Sequence, residues 1–421
     1  MNAPAGTARP AVHGGRDWRL LLSLGVVFFV LLTLYAAVLG VLLPNQIQNI
    51  DPAHKTATLG VIYAITSVFS TLTTPISGAL SDRTRTRFGR RSPWIAIGAT
   101  VGGGALMLVP LVDGLVAVTV LWLVATVSLN SMQPAITAIV ADRFVPAERG
   151  VASGVVGAAM TAGVSAGTIF GGLFAARLGF AYFVLGAAIV VVSILFVLLN
   201  REAPSGIERP ARFHLGAFLR SFWVSPREHP DFAWAFAGRF TIYMGYQAVL
   251  TYLLYILQDH IGYGQADANA MIARLSSITF VALVISGLTA GWLSDRIRRR
   301  KPLVFAAGLI MATAVAAPLI APSPTGMIIY AVLIGIGYGA FMSVDLALMT
   351  QVLPQRVEGD DATGKDLGIL TTAVNVPQIL SPVLAAALLT ATGNNYPALF
   401  VVAGLFVLAG AFLVLPIRSV R

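Results

Sequence analysis

The chain has 421 residues, 57% of them hydrophobic and 11% charged, with no cysteine and a formal net charge of +10. A water-facing surface on a protein of this size needs about a quarter of its residues charged. Composition therefore excludes a soluble globular fold, a disordered chain and a coiled coil, and makes a bilayer the solvent. The missing cysteine excludes disulfides, thiolate metal sites and cysteine nucleophiles.

After a tail over 1–17, the apolar run Leu20 to Leu43 exceeds the roughly 7–15-residue core of a cleavable signal, so it predicts a first membrane span over 18–43. Spans follow over 57–80, 93–112, 115–141, 150–175 and 180–200, each close to the length of about 20 apolar residues that crosses hydrocarbon. A loop over 201–231 carries Pro204, Pro210, Pro226 and five arginines. Six more spans are predicted over 232–257, 270–293, 302–321, 326–353, 367–390 and 396–416, before a short tail at 418–421. The sequence thus divides into six-helix halves at 18–200 and 232–417.

Twelve spans place both termini on one side. That side collects 24 of the 28 Lys and Arg residues, whereas the opposite loops hold only Lys55 and Arg177. Short loops rich in Lys and Arg stay in the cytoplasm, so the sequence places both termini and the central loop there, in a plasma or inner membrane. The positive charge is a topology signal and implies no nucleic-acid partner.

The halves repeat. Gly78-Ala-Leu-Ser-Asp82-Arg83 follows the second span and Gly291-Trp-Leu-Ser-Asp295-Arg296 follows the eighth, 213 residues later. Two repeated halves around a central site are a transporter architecture. The third span of each triplet carries almost no polar side chain and should face lipid, whereas the fourth, seventh, tenth and eleventh carry polar groups that belong inside.

The string continues as Arg83-Thr-Arg-Thr-Arg-Phe-Gly89-Arg90-Arg91-Ser-Pro-Trp. It resembles the signature loop of the major facilitator superfamily, and its spacing is similar to the glycoside–pentoside–hexuronide and sucrose–proton symporters. That resemblance implies alternating access, with Asp82 and, by repetition, Asp295 gating between access states alongside Gly78, Arg83, Gly89, Arg90, Arg91, Gly291 and Arg296.

Asp345 is the acidic residue placed near mid-membrane, and a carboxylate there is a functional-site hypothesis by default. Burial favours its neutral form, so a proton can travel with transport. Arg239 and Arg274 are its candidate partners. Arg239, Tyr243, Tyr246 and Gln247 share one helical face within about 140° together with Thr251 and Gln258. Asn130 and Gln133 share a face of about 60° with Thr126 and Thr137. With Tyr338, Asn375 and Gln378, these residues form the expected substrate cavity, offering donors and acceptors to a hydroxyl-rich ligand. Gly163-Val-Ser165-Ala-Gly167 fits a hydrolase elbow, but all five histidines lie in tail or loops, so it reads as helix packing.

The sequence therefore predicts an all-α, twelve-helix secondary transporter in two pseudo-symmetric bundles. No catalytic residue, metal or cofactor is expected, and an ion gradient supplies the energy. Partners are a small-molecule substrate and the bilayer, and the protein is expected to be monomeric. Proton-coupled import of a sugar or glycoside is the first expectation. Proton antiport exporting drugs or metabolites is the alternative, favoured by the apolar bulk and the lack of carboxylates in the second and fourth spans. A membrane enzyme or sensor is the remaining option.

Overall fold

A computed structural model describes residues 18–202, 227, 229–297, 299–352 and 363–418. The N-terminal tail, residues 419–421, the centre of the 201–231 loop and the side chains of Asp295 and Asn375 lie outside the described residues. Backbone polar groups have no water partner in hydrocarbon, so the apolar runs satisfy them within helices.

Among the described residues, twelve long helices result. The first half holds α1 (Trp18–Ile50), α2 (Lys55–Arg83), α3 (Ser92–Leu108), α4 (Leu115–Arg143), α5 (Pro146–Phe174) and α6 (Leu178–Leu199). The second holds α7 (Pro230–Thr251, continued after a 52° bend as Leu253–His260), α8 (Gln265–Ile297), α9 (Arg300–Ile320), α10 (Pro324–Val352), α11 (Thr363–Ala391) and α12 (Tyr396–Leu413). Only a tight turn, Ala175–Arg177, separates α5 from α6. The chain reverses there: Gly163 and Gly167 of α5 lie on Phe29 and Thr33 of α1, whereas Asn200, just past α6, donates to Ser23 near the start of α1. The apolar core of α11 is short, Val376–Ala391, and Pro377 and Pro382 interrupt its hydrogen bonding.

The duplication read from the loops recurs in the backbone. α1 takes one π turn at Val38–Leu42 and α7 takes one at Ile256–His260, starting 218 residues apart. Such turns inside helices often mark functional positions.

The third helix of each triplet has an exposed apolar face. α3, α6, α9 and α12 present exposed apolar side chains such as Ile97, Phe183, Ile320 and Leu405, and they pack on helices of their own half. Small residues let helices approach where lipid supplies no hydrophobic drive. Gly98 and Gly102 of α3 meet α4 backbone, and Gly163, Gly167 and Gly171 of α5 meet α1. The elbow-like string is helix packing, as its sequence context predicts.

We call the end carrying Trp18, Asn200 and Arg418 the near end and its opposite the far end. The halves meet at the far end. There α2 presses Gly60 against Ala386 of α11, and α5 presses Gly172 against the Asn269 backbone of α8. Near-end glycines of α5, Gly150, Gly154 and Gly157, face open space.

Candidate functional site

The seam between α7 and α10 holds the buried charge. Arg239 Nη1 lies 3.3 Å from Asp345 Oδ2, with the residues 7% and 3% exposed. Arg239 is thus the partner of Asp345. Arg274, the other candidate, is exposed on α8. The pair is tight in distance but poor in hydrogen-bond geometry: Arg239 Nε and Nη1 and Asp345 Oδ2 are buried without a protein hydrogen-bond partner. A salt bridge held this way keeps desolvation cost without the full directional gain.

Aromatic side chains wall the pair toward the helix centres. The guanidinium lies 5.9 Å from the Tyr243 ring centre, whose hydroxyl is 3.4 Å from that of Tyr338 and donates to Met342 Sδ at 2.8 Å. Tyr246 stacks on Tyr338 at 4.5 Å and 11°, and Phe341 meets Tyr243 edge-on. Gln247 donates weakly to Thr251 at 3.5 Å.

The midpoint of α10 falls at Tyr338, and Asp345 sits seven residues, about 10 Å, from the near-end residue Val352. The 29-residue helix is about 44 Å long and overshoots the hydrocarbon core. Along α10 the stacked Tyr338 occupies the middle of the helix, and Asp345 lies two turns nearer the near end.

Other expected cavity residues are dispersed. Asn130 on α4 spends its amide on Ser70 Oγ at 3.2 Å and the Thr126 carbonyl at 2.9 Å, which joins α4 to α2. Gln133 is half-buried one turn on, and Gln378 is exposed on α11.

The loop after α2 forms a charged knot within one half. Arg91, 5% exposed at its side chain, reaches Asp82 at 2.6 Å, Asp142 of α4 at 3.0 Å and Ser81 Oγ at 3.0 Å. Arg90 adds a 2.7 Å pair to Asp142. Glu202 Oε2 accepts from the Arg91 and Ser92 amides at 2.8 and 3.1 Å, capping α3. Gly89 has φ +91° and a Cβ there would strike Glu202, so only glycine fits the turn. Gly78 and Gly291 play matching parts: Pro134 of α4 passes the first and Ser343 of α10 the second. Arg83 is exposed at the end of α2, and Arg296 lies over Trp292. Sequence reasoning missed Asp142 and Glu202, which are isolated acids at the ends of α4 and α6 with no motif around them.

The profile of the Major Facilitator Superfamily matches residues 21–362 and 270–421. The chain belongs to this superfamily. It is therefore a multi-pass membrane protein of a superfamily of transporters. Among its superfamily relatives, the Fujikurins efflux protein of Gibberella fujikuroi is 25% identical over 278 residues, covering 64% of this chain and 55% of its own length. MFS transporter asaE of Aspergillus flavus is 28% identical over 244 residues, with 56% and 48% covered. Multidrug resistance protein 2 of Bacillus subtilis is 28% identical over 301 residues, with 68% and 72% covered. The chain spans about half the length of the two fungal relatives.

Solved structures share the superfamily fold at low identity. The nucleoside transporter NupG superposes with TM-score 0.73 at 15% identity, covering 94% of this chain and 99% of its own. A bacterial homologue of the human lysosomal transporter Spinster, inward-facing and unoccupied, gives TM-score 0.68 at 16% identity, covering 96% and 95%.

Proposed function

We propose that this transporter exports a small, largely apolar organic compound in exchange for protons, with both termini in the cytoplasm of a plasma or inner membrane. The carrying observation is the buried Arg239–Asp345 pair beside the tyrosine wall of the α7–α10 seam. Ionised, the pair is neutral as a unit and tolerable in low dielectric. A proton on Asp345 leaves the Arg239 guanidinium as an uncompensated buried cation, which the seam must relieve by rearranging. Proton binding thereby biases the helices that line the path. Stacked aromatic faces at mid-membrane suit a flat or apolar solute better than a polyol, because they offer contact area with few hydrogen-bond groups. Names of relatives, an efflux protein and a multidrug resistance protein, support the outward direction.

Sugar or glycoside import by symport is the second reading, supported by the spacing from Asp82 to Gly89-Arg90-Arg91. Proteoliposomes under an imposed pH gradient separate the two. Acid on the side opposite the termini should drive apolar dyes out against their gradient. Accumulation of sugars instead, without any dye response, would overturn the export reading.

A further inference from the structure

The halves are joined at the far end by polar side chains that no motif identifies. Lys55, the first residue of α2, donates from Nζ to Asp259 Oδ1 at 2.8 Å and to Gln258 Oε1 at 3.3 Å, and lies 4.8 Å over the Tyr255 ring. Asp259 Oδ2 in turn accepts from Tyr396 of α12 at 2.7 Å. Deeper, Asn45 and Asn269 exchange hydrogen bonds at 2.8 and 3.0 Å across the interface, both buried, and Gln265 donates to Asn45 at 2.8 Å and Asn49 at 3.0 Å. Tyr255 closes the set by donating to the Pro44 carbonyl at 3.0 Å.

We propose that the Lys55–Asp259–Tyr396 triad, backed by the Asn45–Asn269 pair, is the latch that holds the far gate shut. Three independent features support this. Besides Lys55 of α2, Tyr396 of α12 and Asn269 of α8, it draws on two segments: the π turn of α7, which contains Gln258 and Asp259, and the stretch of α1 just after its own π turn, where Asn45 and Asn49 lie. These are the places where the repeated helices depart from regular geometry and where a local twist changes side-chain direction. The same end carries close helix approaches between the halves, at Gly60 and Gly172. At the near end, by contrast, Asp82, Asp142 and Glu202 bind arginines or amides of their own half, and Asp231 accepts from the Arg418 amide within the other.

Polar groups suit a gate that opens every cycle. Each bond broken across the interface is replaced by one to water, so the closed state is specified without becoming too stable to leave. Lys55 and Asp259 are 13% and 32% exposed at their side chains, which leaves water close at hand. The latch does not depend on the identity of the substrate or on the coupling ion.

The natural chain has no cysteine, so spin labels can be placed directly. Labels at Asp113→Cys and Thr325→Cys report the far end, and labels at Arg87→Cys and Arg299→Cys report the near end. Lys55→Met should raise the far-open fraction about three- to tenfold, the range for a partly buried ion pair, with the near pair moving closer. Lys55→Asp should do the same, and Lys55→Asp combined with Asp259→Lys should return both distance distributions toward the parent. Unchanged distances in Lys55→Met, or a reversed pair that fails to restore them, would overturn the latch.

Discussion

Removing one side of the Arg239–Asp345 pair should be expensive, and removing both should not. Asp345→Ala leaves a guanidinium that is 7% exposed with no counter-charge in the seam. Stripping one partner from a buried pair costs about 3–5 kcal/mol, a large share of the roughly 5–15 kcal/mol that holds a typical fold. Thermal unfolding in detergent should therefore show a clear drop for Asp345→Ala. Arg239→Met with Asp345→Leu, which replaces the pair by apolar side chains, should recover most of it. Asp345→Asn keeps the shape and an acceptor oxygen while mimicking the protonated acid, so its stability loss should be smaller. In proteoliposomes that variant should lose pH-driven transport yet retain counterflow exchange, which moves no net proton. Full pH-driven transport by Asp345→Asn would remove the coupling role, and an Asp345→Ala protein as stable as the parent would show that the pair is not held in the seam.

Asp82→Asn should fold normally, because Asp82 is 60% exposed and Arg91 keeps Asp142, so the stability cost should stay under about 1 kcal/mol. Its transport rate should change, and an unaltered rate would reduce the loop to a topology signal. Gly60→Leu places a side chain where even a Cβ strikes Ala386, so the far end should no longer close. Counterflow should fall at least about tenfold by the loss of one access state, whereas normal exchange would show that α2 and α11 part freely. A cytoplasm-only reporter should be active after Ala203 and silent after Pro397. Silence after Ala203 would overturn the helix count.

Helix number and the two halves were legible because they rest on one-dimensional quantities: apolar length and a repeated string. Asp345 stood out as a costly carboxylate, and Arg239 was one of two candidate partners. Choosing between Arg239 and Arg274 needed the α7–α10 crossing, because sequence separation between helices says nothing about which faces meet. Most hidden were Lys55, Asn45, Asp259 and Asn269. A lone lysine outside the main clusters and a Gln-Asp pair at the end of an apolar run look like ordinary helix ends until two halves of the chain, more than 200 residues apart, bring them within hydrogen-bond distance. Local hydropathy decides what enters the bilayer. Which polar ends meet is decided by how the two bundles lean on one another, and that is a property of the packed molecule alone.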